Sequence, residues 1–493
     1  LEERDLIQRL PNGLVHRCFR SLEFPDRINV SHVSRGWRAA ALSDAYLWDK
    51  ASVPPYQQDI GAEMLVELLA RSDPLPFVFT WVGVMGTRSI PKDIFEVVAR
   101  NMHRMSTLDI EHMSAQQVER LFEQRSPLLK RLVCGTYPRF TLPARWGVNH
   151  APLLEKLKLD IDDVPADLQP FALVRSFGCS HIDGFQEAGL NLFNIFPSLC
   201  SLRVRFTELK ALPCISDPPT SLTHLVLETL AAMEPIDYSR LLQACRRLRL
   251  RRLVLESATA FEDALDLFMR DVQGTWRLEL NREKKTTREG KKSISFVASS
   301  GSDDIVYTVR CWRPVSLARL LSTGAHIDRI SHLSTNLSVL REIGGLATWS
   351  RSLPVLCSLE IHFTSDGEDD SEDSDESGDD APPPSPPAPA PPPSAETMNP
   401  ISTPLLGTVV VWIDRFVRTR EKWASSELPE LLPTVFASER PRLAAMTVDM
   451  WEPKLRNKDV APLLAISECV RVASRRSGDT VEYTQSNGAP VLV

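Results

Sequence analysis

Cations two residues apart recur in this chain as Lys156 with Lys158 and Arg203 with Arg205, and Arg252 and Arg277 continue the series singly. In a β-strand, positions i and i+2 share a face, so each pair would project together. The chemistry they could do is anion recognition, because a guanidinium group takes a carboxylate or phosphate through two parallel hydrogen bonds. Asp109 and Glu111 precede the series, and Glu228, Glu256 and Glu279 are interspersed. The row is therefore basic through its centre but not uniformly so.

Groups suited to covalent or metal chemistry lack the necessary spacing. Nine cysteines and ten histidines form no Cys-x-x-Cys pair and no Cys/His ligand pattern, so no metal site, disulfide framework or cofactor is expected. Cys134, Cys179, Cys200, Cys214 and Cys357 sit singly in apolar stretches, as small buried hydrophobes do. That usage suits a reducing compartment, cytoplasmic or nuclear. Walker, dinucleotide-binding, zinc-protease and nucleophile-elbow motifs are all missing. No catalytic residue is expected, and the chain reads as a non-enzyme. No apolar run approaches the ~18 residues of a membrane span. Leu1 to Asp5 is acidic and polar, unlike a signal peptide. Nucleic acid is the weaker partner, because the cations lack interleaved aromatics for base stacking.

Elements must hold these cations in a row, and the sequence supplies a repeat. The pattern apolar-x-x-apolar-x-apolar appears as Met105-Leu108-Ile110, Leu129-Leu132-Cys134, Leu154-Leu157-Leu159 and Leu199-Leu202-Val204. It continues as Leu222-Leu225-Leu227, Leu250-Leu253-Leu255, Leu356-Leu359-Ile361 and Leu443-Met446-Val448. Central positions 108, 132 and 157 lie 24 and 25 residues apart, inside the ~20–29 range of leucine-rich repeats. A degenerate unit is expected near Leu173 to Phe177. Each stretch reads as a short strand, and Ile94 to Met102, Ala115 to Phe122 and Tyr238 to Cys245 read as helical return legs. The expected fold class is α/β: an irregular leucine-rich-repeat solenoid over 51–364, whose concave face would carry the cation row.

Residues 276–313 interrupt the repeat with three alternating stretches, Trp276 to Leu280, Ile294 to Ala298 and Ile305 to Val309, which predict an inserted β-meander. Ten acidic residues crowd between Asp366 and Asp380, so the net charge of −7 conceals a mildly basic remainder. A proline-rich tract follows. Together, 365–402 should be a disordered linker, with a C-terminal repeat or capping region over 403–493.

The amino-terminal fifty residues predict a helical module. Leu10, Leu14, Cys18 and Leu22 recur every four residues with Val15 and Phe19 alongside, and so small a unit rarely stands alone. Leu10-Pro11, Leu14, Cys18-Phe19, Leu22, Val33-Ser34, Trp37-Arg38 and Leu47-Trp48 resemble the F-box, with Gly13 where the family usually has Glu. The join that follows, Met64-Leu65-Leu68-Leu69 and then Pro76 to Trp81, is similar to the start of F-box proteins of mushroom-forming fungi.

The F-box resemblance implies a Skp-type adaptor as partner and, through it, a cullin. Leu10, Pro11, Leu14, Val15, Cys18, Phe19, Leu22, Val33, Trp37 and Trp48 would dock that adaptor or hold the helices together. The implied role is the substrate-recognition subunit of a Skp–cullin–F-box ubiquitin ligase. Its target segment, acidic or phosphorylated, would meet Lys156, Lys158, Arg203, Arg205, Arg252 and Arg277. The alternative is a non-catalytic repeat scaffold acting outside a ubiquitin ligase.

Overall fold

The computed structural model describes residues 10–53, 61–82, 89–136, 140–144, 146–159, 161–165, 167–179, 190–206, 217–229, 236–258, 262–286, 292–300, 305–311, 329–336, 355–363, 408–413, 445–450, 463–464, 467–474, 480–486 and 489–492. The chain divides into two compact units, Leu1–Ala231 with Ala244–Leu250, and Ala232–Gln243 with Arg251–Val493.

The first unit begins with three helices, α1 (Asn12–Arg20), α2 (Phe24–Val33) and α3 (Arg35–Leu42), and a 3-10 turn at Ala45–Leu47. Pro25 sits in the first turn of α2, where a missing amide hydrogen costs nothing. Ser34 breaks α2 from α3 with extended backbone, and its hydroxyl accepts from the Trp37 amide at 3.2 Å. That contact gives the Val-Ser-x-x-Trp spacing its physical meaning, an N-cap. Asp44 does the same for the 3-10 turn, accepting from the Tyr46 amide at 3.2 Å.

Eight strands of the first unit pair in parallel, each with the next along the chain. They are β1 (Lys50–Val53), β2 (Phe77–Trp81), β3 (Met105–Met113), β4 (Arg131–Thr136), β6 (Lys156–Leu159), β8 (Ser176–Cys179), β9 (Ser201–Phe206) and β10 (His224–Thr229). Two short strands, β5 (Phe140–Thr141) and β7 (Ile161–Asp163), pair separately. Parallel neighbours need a crossover, and helices α4 (Ala62–Arg71), α5 (Lys92–Arg100) and α6 (Ala115–Phe122) supply the first three. A reciprocal cap starts α6: the Ser114 hydroxyl accepts from the Gln117 amide, and the Gln117 side chain accepts from the Ser114 amide.

Alternate strand residues turn inward and are fully buried, among them Leu108 and Ile110, Leu132 and Cys134, Leu157 and Leu159, and Leu202 and Val204. Each such leucine contributes about 1.5–3 kcal/mol relative to exposure. The stretch expected to be degenerate holds β8, with Phe177 inward and stacked on Phe196 at 4.4 Å. Gly135 lies within a register shift between β3 and β4, where an added Cβ would overlap the Glu111 carbonyl oxygen. No larger residue permits that approach.

The second unit contains β11 (Arg252–Ala258), β12 (Trp276–Thr286), β13 (Lys292–Ser300), β14 (Val306–Cys311), β15 (Ile330–Asn336), β16 (Ser358–Phe363), β17 (Thr408–Ile413), β18 (Ala445–Met450), β19 (Cys469–Ser474), β20 (Thr480–Ser486) and β21 (Ala489–Leu492). The antiparallel trio β12–β13–β14 does not hang off the sheet. β14 lies parallel to β11, while β12 lies parallel to β15, so the meander is spliced edgewise into the ladder. The helix Glu262–Asp271 holds it there, because Phe268 packs edge-on against both Trp276 and Tyr307, at 5.6 and 5.2 Å.

From β15 the parallel order runs through β16, β17 and β18 to β19, and antiparallel β20 and β21 end it. The acidic and proline-rich segment expected at 365–402 lies outside the described residues. The whole is a helical amino-terminal region followed by a mixed α/β region built on a large sheet.

Candidate functional site

The ten positions singled out in the helical module fall into two groups. Val15 and Phe19, one helical turn apart, face inward and are 3% exposed each. Phe19 meets the Trp37 ring at 5.3 Å, and Leu22 and Trp37 are half-buried. Trp48 is wholly enclosed, donating its indole N–H to the Ala41 carbonyl at 2.9 Å. These residues hold the module together. Leu10, Pro11, Leu14, Cys18 and Val33 are exposed instead, with Leu14 at 48% and Val33 at 62%. Leu14 and Cys18 form a second stripe on α1, about 100° around the helix from the first. The sequence reading gave both stripes together, and the packing of α2 and α3 separates core from surface.

Polar contacts fix the module's shape. Arg20 reaches the buried Asp44 carboxylate through two hydrogen bonds of 2.7 and 2.8 Å and lies over the Tyr46 ring. Arg27 donates to the carbonyls of Leu22, Leu47 and Arg20, tying three segments to one side chain. The module joins the sheet directly, since Asp49 alone separates Trp48 from β1. Arg71 of α4 covers the Trp48 ring at 4.8 Å. At Gly13 a Cβ would meet nothing within 4 Å. Gly13→Glu should therefore stabilise α1 by about 1 kcal/mol, through backbone propensity and its charge in the first turn. The expected result is several-fold slower amide exchange in α1.

The second set of positions is divided between the two units, on strand residues that alternate with the buried ones. Lys156, Lys158, Arg203 and Arg205 belong to the first, Arg252 and Arg277 to the second. In the first unit the arginines are clamped. Arg203 and Arg205 on β9 both hold Glu228 on β10, at 2.7 and 2.8 Å. Burial pushes the Glu228 carboxyl up, but its bonds to Arg205 and Arg203 outweigh that and hold it below its ordinary 4.5.

Arg131 on β4, which the sequence reading passed over, pairs with Asp109 on β3 at 2.8 Å. Lys156 stands opposite Arg131 in register. Burial lowers the Lys156 amine below its usual range, and Arg131 and Lys158 lower it further, against a partial offset from Asp109. The centre of the row is thus Lys156 and Lys158, between the Arg131–Asp109 pair and a clamp of two arginines on one glutamate that keeps one positive charge. The signal for Arg131 was present, since it occupies the position of Lys156 one repeat earlier.

Because a depressed carboxylate pKa keeps the charge, the Glu228 clamp holds above its ordinary range and opens as pH falls through the lowered value. Glu228→Gln frees both guanidinium groups at neutral pH. This variant should bind a glutamate-rich peptide several-fold more tightly in low salt, as read by fluorescence anisotropy. Unchanged affinity would remove Arg203 and Arg205 from the binding surface.

In the second unit, Arg252 and Arg277 are not neighbours. Arg252 aligns with Val306, Val306 with Ser299 and Ser299 with Arg277, three strand spacings or about 14 Å. The sequence reads them as members of one row, and the spliced meander separates them. Arg277 is itself paired with Glu279 and Glu360, both at 3.1 Å. Glu256 pairs with Arg310.

One hydroxyl–imidazole contact lies nearby: Ser334 Oγ stands 2.9 Å from His362 Nε2. Glu360 approaches that same nitrogen at 3.9 Å, whereas a proton relay needs the carboxylate on the other one. Among the described residues, no group of three or more His, Cys, Asp or Glu could hold a metal ion, and no helix is long and apolar enough to cross a membrane.

Comparison with known proteins matches residues 7–53 to the family described as F-box-like. That span holds α1 to α3, the 3-10 turn and β1. No curated protein matches the chain.

Proposed function

We propose that this chain, with an F-box-like domain at residues 7–53, is the substrate-recognition subunit of a Skp–cullin–F-box ubiquitin ligase. F-box domains typically dock Skp-type adaptors, and proteins that carry them are typically non-catalytic. The observation that supports the reading best is the exposed stripe of Leu14 and Cys18, with Leu10 and Val33 also exposed. These apolar side chains lie on the domain's surface while its own core is already filled by Val15, Phe19 and Trp48.

The remainder acts as an irregular leucine-rich-repeat solenoid, similar to those of F-box proteins in mushroom-forming fungi. The sequential parallel order of β1 to β4, β6 and β8 to β10 supports that reading, as does the return of α4, α5 and α6 between the first strands. A solenoid displays one outward residue set per strand, and here that set is basic at Lys156 and Lys158, beside the Arg131–Asp109 pair. The target segment is acidic or phosphorylated. Ubiquitin transfer then follows from proximity, with a tethered target lysine held at high effective concentration near a charged conjugating enzyme. The setting is the cytoplasm or nucleus.

Co-expression with a Skp-type adaptor and a cullin tests the assembly. A complex of all three on gel filtration is the expected result. Adaptor without cullin would indicate a scaffold outside any ligase, and neither would end the proposal.

A further inference from the structure

A row of exposed leucines runs beside the basic centre. The turns that lead into β4, β6 and β8 are closed by the same hydrogen bond: Leu129 amide to Ser126 carbonyl, Leu154 to Ala151, and Val174 to Phe171. In each, the residue after the first is Pro127, Pro152 or Ala172, and the next is Leu128, Leu153 or Leu173. All six are exposed, and the leucines are 38%, 40% and 50% exposed. The strand registers place the three turns side by side, since Arg131 stands opposite Lys156 and Lys156 opposite Ser176. The row stops at Arg104 on one side, a residue committed to the Leu69 and Leu75 carbonyls. It stops at Ser198 on the other.

Isolated exposed leucines are ordinary, but a register-aligned row is not. The residue that follows each exposed leucine is buried: Leu129, Leu154 and Val174. The core therefore has its own residue in every repeat, and the exposed one is surplus to folding.

We infer that this row, together with Arg131, Lys156 and Lys158, forms one bipartite surface for an acidic amphipathic α-helix of a partner protein. The inference rests on the proposed target-binding role of the same face and names the form of the ligand.

Spacing selects a helix over an extended peptide. Adjacent strands lie about 4.8 Å apart, so the leucines repeat at about that distance. A helix returns a side chain to one face every ~5.4 Å. An extended peptide does so every ~6.7 Å, and loses register within three repeats. Reach also fits. Leu128 and Arg131, like Leu153 and Lys156, are three residues apart, so their Cα atoms are no more than about 10 Å apart. A helix of ~10–12 Å diameter lying on the leucines therefore presents its flank to the cations. Charge fixes the flank as acidic, because Lys156 stands opposite Arg131 and two residues from Lys158, like charges that Asp109 offsets only in part, and further carboxylates relieve that crowding.

The chain's own acidic segment satisfies half of this surface. Residues 366–380 consist of Asp, Glu, Ser and Gly and offer nothing to the leucines. A target with apolar residues at helical spacing has both halves.

Two labelled fifteen-residue peptides test the inference against the full chain by fluorescence anisotropy. Both have the same glutamate, alanine and leucine content. One places leucine at i, i+4, i+7 and i+11, and the other scatters the leucines around the helix. The first should bind at least tenfold more tightly. A Leu128→Ser, Leu153→Ser, Leu173→Ser variant should lose that advantage, while Lys156→Glu with Lys158→Glu should weaken both peptides and flatten their salt dependence. Equal binding of the two peptides, or a triple serine variant that keeps the preference, overturns the inference. So does a preference of the surface for anionic vesicles over peptide, or a dimer of the chain that the serine changes dissolve. Sensitivity to the lysine changes alone leaves an acidic-target face without an apolar component. Adaptor assembly reports separately on the F-box reading, because none of these residues lies in 7–53.

Discussion

Leu14→Glu with Val33→Lys should reduce affinity for a Skp-type adaptor by about a thousandfold while leaving the chain folded. Both side chains are about half exposed or more in the free protein. Burying each aliphatic group under a partner is worth about 1.5–3 kcal/mol, and every 1.4 kcal/mol is tenfold in affinity. The substitutions are chosen to suit their helices. Position 14 lies in the first turn of α1, where an acid is favoured, and position 33 ends α2, where a cation is favoured. The substitutions should therefore leave the helices formed. Titration of purified adaptor by calorimetry provides the measurement, with amide exchange across 12–48 as the folding control. Affinity within threefold of the parent would show that this stripe is not the docking face.

Trp48→Ala should act in the opposite order, on the fold first. Its ring is fully buried, its N–H is satisfied by Ala41 and its face is covered by Arg71. Truncating a buried tryptophan costs about 3–5 kcal/mol, a large share of what a module of this size can hold. Amide exchange in α1, α2 and α3 should accelerate by about a hundredfold or more, while β3 and β4 keep their protection. Adaptor binding falls as a consequence. A variant that exchanges like the parent would mean that the helices are held by something other than the Trp48 contact.

The contrast between exposed Leu14 and buried Val15 shows where sequence reasoning reaches and where it stops. A four-residue apolar period placed Leu14 and Val15 on adjoining stripes with equal claims to the core. Only the packing of α2 and α3 against one of them decides which is buried. Strand positions were legible for the same reason in reverse. In β4 and β6, alternation at Leu132-Cys134 and Leu157-Leu159 has one outcome, because a strand has just two faces.

Cross-strand partners were not legible. Asp109 with Arg131, and Glu228 with Arg203 and Arg205, depend on register, which a linear reading supplies only approximately. The placement of β14 beside β11 lay further still out of reach. A meander predicted from alternation and turns carries no information about which of its edges the ladder adopts, and that choice separates Arg252 from Arg277. Gly135 is similar, since its need for a missing side chain arises from the carbonyl of Glu111 on the neighbouring strand.

The ladder between β16 and β17 pairs six residues from each strand without a register shift, from Ser358 opposite Thr408 to Phe363 opposite Ile413, although residues 364–407 intervene. Lengthening a connection raises its closure cost only logarithmically, by about 0.6 kcal/mol per doubling. Two rungs that already fit together are nearly indifferent to how much chain is threaded between them. That connection is thus a site where a reporter or an affinity handle can be grafted, and where insertions could accumulate over generations, with the strands on either side left as they are.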